Sequence, residues 1–225
     1  MMAMLLAYGV SLEEVAALEP RFVDVQQYLW SLEPPAWPFD PPDPAVVARG
    51  RTLFDANCAR CGPRGSGPDA AYPDTIVPVA EVGTDPARAR NFGEEEAAWL
   101  TDFMGSVFAA DPLVATGGYL APPLVGIWAR APYFHSASVP DLVSVLDSGS
   151  RPAVWARTGS GAADYDPVRV GWRYEVPSDP LDASTPEGRR IHDSSRPGLS
   201  NGGHTFGDAL SVEERADLVA YLTTL

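Results

Sequence analysis

The sequence predicts a mainly α chain with long irregular loops and little or no β. Three observations carry this. Apolar residues recur at helical spacing in separate stretches along the chain. Two of those stretches open with the same N-terminal signature, SLEE and SVEE, in which a serine stands three residues before a glutamate. Between the periodic stretches lie 23 prolines and 20 glycines among 225 residues, more than a regular bundle or sandwich uses. With 45% hydrophobic residues the chain has enough apolar surface for one good core or two modest ones. Long ordered loops need contacts to offset their ordering entropy, and a large apolar cofactor would supply them.

The elements follow in order. Ser11 and Glu14 form a capping box for a first helix. In FVDVQQYLWSL, residues Phe22, Val25, Tyr28, Leu29 and Leu32 share one helical face. In EPPAWPFDPPDP, from Glu33 to Pro44, six of twelve residues are proline, which excludes helix and central strand. That stretch is an extended strap anchored by Trp37 and Phe39. Residues 45–57 form a helix with Val46, Val47, Gly50, Leu53 and Phe54 inward, and it runs directly into Cys58. Residues 62–93 are a long loop. Residues 94–108 are helical, with Ala97, Trp99, Leu100, Phe103 and Val107 as the apolar positions. Residues 117–137 form a loop rich in glycine, proline and aromatics. Ser138 to Leu146 is a short helix with Pro140 in its first turn. Residues 148–208 are mostly loop, with one short strand at VRVGWRYEV. A last helix, capped by Ser211 and Glu214, buries Val212, Ala216, Leu218, Val219 and Leu222. The domains expected are 1–43, the N-terminal helices and strap, and 44–225.

Composition excludes several functions. A net charge of −14 argues against nucleic-acid binding and against docking on anionic lipid. An acidic surface suits a basic partner, and it is also simply a soluble surface. Two cysteines are too few for a disulfide scaffold. No apolar run approaches the length of a membrane span. The opening MMAMLLAYGVSLEEV has no basic segment and no cleavage site, so it does not read as a signal peptide. It reads as the start of an internal fragment.

The chemistry-bearing residues are few. NCARCGPRG, residues 57–65, holds both cysteines, Cys58 and Cys61, two residues apart. C-x-x-C followed by histidine attaches a c-type haem, and here Gly62 follows instead. The three histidines are His135, His192 and His204. A zinc site would need about four ligands, and the spacing is wrong for a finger. A thioredoxin-like pair opens a helix after a strand, whereas this pair ends one. His192, in RRIHDSS, has no motif and reads as a surface residue.

Several segments resemble a known family. GYLAPPLVGIWARAPYFHSASVPDLVSVL, ending at Leu146, is similar to a segment of the di-haem c-type cytochromes, which include the bacterial cytochrome c peroxidases and the haem-dependent rubber oxygenases. PGLSNGGHTFGDALSVEERADLVAYLTTL, residues 197–225, resembles the end of the rubber-oxygenase branch. YPDTIVPVAEVGTDPARARNF, residues 72–92, and YLWSLEPPAWPF, residues 28–39, resemble the segments after and before that branch's haem motif. The resemblance implies a c-type cytochrome domain with one covalent haem c, the C-terminal half of a two-haem oxidoreductase. In that branch the N-terminal haem binds oxygen and the C-terminal haem moves or buffers electrons. The C-terminal helix is expected to pack across the helix that leads to the cysteines.

Carried onto this chain, the resemblance implies attachment at Cys58 and Cys61, with His204 as the distal metal ligand. It places His135 as a nearby polar contact and Trp128 and Tyr133 as aromatic neighbours between haem sites. The implied partner is a second haem domain or a redox protein, and the implied location is periplasmic or secreted. The chain departs from the pattern twice. The proximal histidine is missing between Cys61 and Gly62, and the Asn-Gly-Ser expected after His135 is Ser136-Ala137-Ser138. Without the histidine, the haem keeps a single protein ligand or is not attached. In the second case the chain is a haem-free structural or interaction domain whose two cysteines are free or joined in a short disulfide.

Overall fold

Both capping boxes form. The Ser11 hydroxyl accepts from the Glu14 amide while the Glu14 carboxylate accepts from the Ser11 amide, and Ser211 and Glu214 do the same at the last helix. The computed structural model describes residues 11–61, 75–108, 112–178 and 184–225. The chain divides into two compact units, one made of residues 1–34 and 91–116, the other of 35–90 and 117–225.

In the first unit, α1 (Leu12–Ala17) leads into α2 (Glu19–Ser31), and α1 also lies against α6 (Glu94–Phe108). Val15 and Ala97 are buried there. The apolar face expected on the second helix is not an inner face, because Val25, Tyr28, Leu29 and Leu32 are all exposed. Trp99 is exposed as well.

In the second unit, α3 (Pro44–Asn57) is capped by Asp43, whose carboxylate accepts from the amides of Ala45 and Val46. It packs across α8 (Val212–Leu222), as expected. The crossing is close because Gly50 has no side chain: a Cβ there would stand 2.0 Å from the Asp217 carbonyl oxygen. Phe54 then packs on Tyr221 at 5.3 Å between ring centres, and Leu218 is fully buried. The Arg49–Asp217 ion pair closes the edge of the crossing at 2.6 Å. Val212 and Ala216, expected inward, are exposed. Leu218, Val219 and Leu222 are buried as expected, and Tyr221 joins them.

The expectation of a mainly α chain with little or no β is overturned: helices and strands are both present and the chain is not clearly mainly α. Seven short strands form three antiparallel sheets among the described residues. β1 (Ile76–Pro78) pairs with β2 (Gly118–Leu120). β3 (Val154–Arg157) lies between β6 (Tyr174–Glu175) and β7 (Ile191–Asp193). β4 (Tyr165–Asp166) pairs with β5 (Gly171–Trp172). Strands of two to four residues show no period in the sequence, and their pairing is set by distant partners. Two further short helices, α4 (Val79–Val82) and α5 (Ala87–Arg90), interrupt the loop expected over 62–93. The short helix α7 (Leu142–Leu146) starts later than expected. Asp141 caps it through the Ser144 amide, so Pro140 lies before the cap rather than in the first turn. Asp141 is fully buried and paired with Arg169 at 2.7 Å.

Ser136 and Ala137 both take left-handed backbone angles, φ 55° and 57°. Those are the positions where the related cytochromes are expected to carry Asn and Gly, the residues that suit this conformation. Ala137→Gly is therefore expected to stabilise the chain by about 1 kcal/mol, the left-handed penalty less the added unfolded-chain entropy. A higher urea midpoint at unchanged slope would show it; no change or a fall would show that Ala137 is not strained. No helix among the described residues is long and apolar enough to cross a membrane.

Candidate cofactor site

Cys58 is the C-cap of α3, and its amide donates to the Phe54 carbonyl at 2.8 Å. The helix that crosses α8 therefore delivers the cysteine pair directly. The Cys61 amide donates back to the Cys58 carbonyl at 3.2 Å, which folds C-A-R-C into a tight turn. Both cysteines are free thiols and half-buried, and Cys58 packs against the core. Gly62, in the place of the expected histidine, lies outside the described residues. Burial, with the charge of Cys61 beside it, pushes the Cys58 thiol up to about 11. Only about one Cys58 in a thousand is then a thiolate at pH 8. Alkylation of Cys58 by iodoacetamide is expected to be slow at pH 8 and to accelerate through pH 10. Mass spectrometry of peptides resolving the two sites would check this, and fast reaction of Cys58 at pH 8 would contradict its burial.

His204 reaches the same region from the other end of the unit. Its amide donates to the carbonyl of Val82, the last residue of α4, at 2.6 Å. Gly203 makes this approach possible, since a Cβ there would fall 2.1 Å from the Gly83 carbonyl carbon. The imidazole lies between Phe134, at 5.3 Å, and Phe206, at 4.9 Å. Its Nδ1 is buried with no hydrogen-bond partner among the described residues. Burial, helped by the nearby Arg151 charge, lowers its pKa and keeps the ring neutral with a lone pair to offer.

Arg60, inside the cysteine turn, ties the two ends together. Its guanidinium lies 5.0 Å from the centre of the Phe206 ring and pairs with Glu81 at 2.6 Å. The residue after Gly83 continues the cluster, because the buried Thr84 hydroxyl lies 3.4 Å from His135 Nε2. The His135 ring rests on Tyr119 at 4.0 Å. Cys58, Cys61, His204 and His135 are thus joined through Arg60 and residues 81–84. Burial lowers the pKa of His135, so it too is neutral near pH 7.

Trp128 and Tyr133 sit elsewhere. Trp128 Nε1 donates to the Pro35 carbonyl at 3.1 Å, and its ring meets Trp37 at 5.5 Å. The Tyr165 hydroxyl donates to the Trp128 carbonyl at 2.7 Å, and Phe39 stacks on Tyr165. The Pro-rich strap is anchored there by Trp37 and Phe39. Tyr133 is buried, its hydroxyl 3.1 Å from the Val170 carbonyl and 3.2 Å from that of Ile127. Its neighbour Phe134, which the sequence reading did not single out, is the residue that meets His204. His192, expected at the surface, is half-buried, with Nε2 3.0 Å from the Leu199 carbonyl.

Two free thiols at a helix end and a neutral imidazole whose buried Nδ1 has no partner among the described residues suit a covalently attached, ligand-demanding group. An unpaired buried nitrogen costs about 1–3 kcal/mol, which a bond to a metal would offset. Among the described residues no cluster of three or more histidine, cysteine or carboxylate side chains could hold a bare metal ion.

The chain is 32% identical over 206 residues to the uncharacterized protein y4iM of Sinorhizobium fredii (strain NBRC 101917 / NGR234), covering 80% of this chain and 45% of that protein. It is 28% identical over 260 aligned positions to y4iJ of the same strain, covering 86% of this chain and 41% of the relative. The chain thus spans less than half the length of these relatives. Residues 118–156 match the family described as RoxA-like, cytochrome c-like. The match takes in Tyr119, Trp128, Tyr133 and His135 and lies between the cysteine pair and His204. Over residues 118–156 the chain carries the RoxA-like, cytochrome c-like segment, of a class of haem-binding electron-transfer domains.

Proposed function

We propose that the unit formed by residues 35–90 and 117–225 is a haem c domain that passes electrons within a longer di-haem oxidoreductase of the peroxidase or rubber-oxygenase kind. The observation that carries this reading is His204. Its imidazole is half-buried and neutral, its buried Nδ1 has no partner among the described residues, and it is tied through Phe206 and Arg60 to the turn that bears both thiols. The cytochrome c-like match of residues 118–156 supports it.

In this reading Cys58 and Cys61 would hold the group through their sulfurs, and His204 would offer a nitrogen to its iron. The bound group would supply a one-electron carrier whose potential is set by axial ligation and burial. The chain does the rest. The α3–α8 crossing holds the cysteine turn rigid, Phe134 and Phe206 keep water from the His204 ring, and His135 gives a neutral polar edge. Its electron partner would be a second haem domain or a redox protein, and its location periplasmic or secreted. The observation favouring a second reading is Gly62. A chain that cannot attach haem without the histidine would be a haem-free interaction domain carrying a dithiol.

Protein made in a host competent for c-type maturation separates the two. A covalent pyridine haemochrome band is expected in the unaltered chain and not in the Cys58→Ser, Cys61→Ser double variant. In a chain that carries haem, His204→Ala is expected to convert a low-spin or nitrogen-ligated spectrum to one without that ligand. No covalent band in the unaltered chain would sink the haem reading, and an unchanged spectrum in His204→Ala would remove His204 as the ligand.

A further inference from the structure

We propose that Arg151 is the positioning residue for His204, holding both the backbone of its loop and the ring that flanks its imidazole. The proposal rests on the reading of His204 as a ligand, but the contacts stand without it. Arg151 Nε donates to the Ser144 carbonyl at 2.9 Å. One terminal nitrogen donates to the carbonyls of Asn201, at 2.8 Å, and Gly203, at 2.6 Å. The other donates to those of Val145, at 3.0 Å, and His204, at 3.1 Å. The planar fork therefore fastens the end of α7 on one side and the loop Asn201–His204 on the other. Its face lies 4.9 Å from the centre of the Phe134 ring, which in turn lies 5.3 Å from the His204 ring.

The loop needs such a clamp. Residues 201–204 are in neither helix nor strand, so their carbonyls find no ladder partners. Gly203 and His204 are both in left-handed conformation, φ 72° and 47°, and His204 has a side chain to strain there. Phe134, φ 64° and ψ −177°, occupies a region of backbone space that glycine almost alone adopts. Two strained residues, His204 and Phe134, converge on one guanidinium. Among the described residues Arg151 makes no ion pair. Burial lowers its pKa, and the nearby charges of Asp208 and Asp147 offset part of that. Its donors thus go to carbonyls. Lysine, a point charge with three donors, cannot reproduce a fork that reaches five acceptors.

The competing role is local, with Arg151 fastening only α7 through Ser144 and Val145. Histidine-ring and amide signals of the full chain, read by NMR without haem, separate the two roles. In Arg151→Gln the His204 ring resonance is expected to shift and broaden, and the His204 amide to exchange about tenfold faster or more. The His192 ring and the amides of α3 and α8 should be unmoved. Arg151→Lys is expected to restore little of this. A folded Arg151→Gln with wild-type His204 ring signals and exchange, and only a lower melting temperature, would overturn the proposal. Should Arg151→Gln not fold, Arg151→Lys is read by the same two signals, and unchanged His204 signals there would overturn it equally. These readouts need no haem, so failure of the ligand reading, seen in the haemochrome and His204→Ala spectra, is a separate result.

Discussion

Gly50→Ala is expected to destabilise the second unit by about 3 kcal/mol, although alanine is the better helix former. The helical preference favours alanine by about 1 kcal/mol at an interior position. Against that, the new Cβ would meet the Asp217 carbonyl oxygen at 2.0 Å, its carbon at 2.7 Å and the Tyr221 Cβ at 2.8 Å. Two of these are backbone atoms, which no rotamer change can move aside. Relief requires α3 and α8 to separate, loosening the Phe54–Tyr221 contact and the burial of Leu218. Overpacking of this kind costs about 1–3 kcal/mol and more where backbone must shift. The melting temperature should fall by roughly 6–12 °C, and Gly50→Val should not fold. Gly149→Ala is the control: the nearest atom to its Cβ is a side-chain oxygen of Asp147 at 3.5 Å, and its effect should be near zero. An unchanged or raised melting temperature in Gly50→Ala would show that the helices do not cross this closely.

Inserting a histidine between Cys61 and Gly62 is expected to raise covalent haem by at least about tenfold. Loss of even an outer partner of a metal ligand lowers affinity about 10–100-fold, and this change restores a ligand itself. The insertion should also change the spectrum, because a histidine there would offer a bound haem a second nitrogen ligand. Axial ligand identity sets the potential, so the inserted chain should titrate at a different potential from any haem-bearing parent. The pyridine haemochrome yield and a spectroelectrochemical titration measure these effects. If parent and inserted chains bind equal haem with the same spectrum, the iron ligands lie elsewhere. If neither binds haem, the domain is a dithiol-bearing interaction module.

Some of this was legible in the sequence for a physical reason. Helix starts are written within three residues of one another, so Ser11 with Glu14 and Ser211 with Glu214 could be read directly and were found in place. The crossing of the first cytochrome-like helix by the last followed from the family resemblance, and Gly50 and Phe54 stood on the inner face as expected. The strands were missed because pairs such as Val154 with Asp193 depend on residues far apart in the chain, and the one strand expected over 168–176 is instead a turn followed by β5 and β6, which belong to different sheets. Phe134 and Arg151 were missed for a different reason. Arg151 is recognised by its acceptors, and those are backbone carbonyls, which every residue possesses.

What the sequence determined by itself is the helical frame and the chemistry it carries: two thiols at a helix end, three histidines and a missing one. Only the tertiary structure decided which histidine has a buried ring nitrogen with no partner among the described residues, which aromatic rings flank it and which cation holds its loop. Helix caps and periodicity are local and read along the chain. Burial, left-handed strain and hydrogen bonds to distant carbonyls exist only once segments such as 81–84, 134–151 and 201–206 have been brought together.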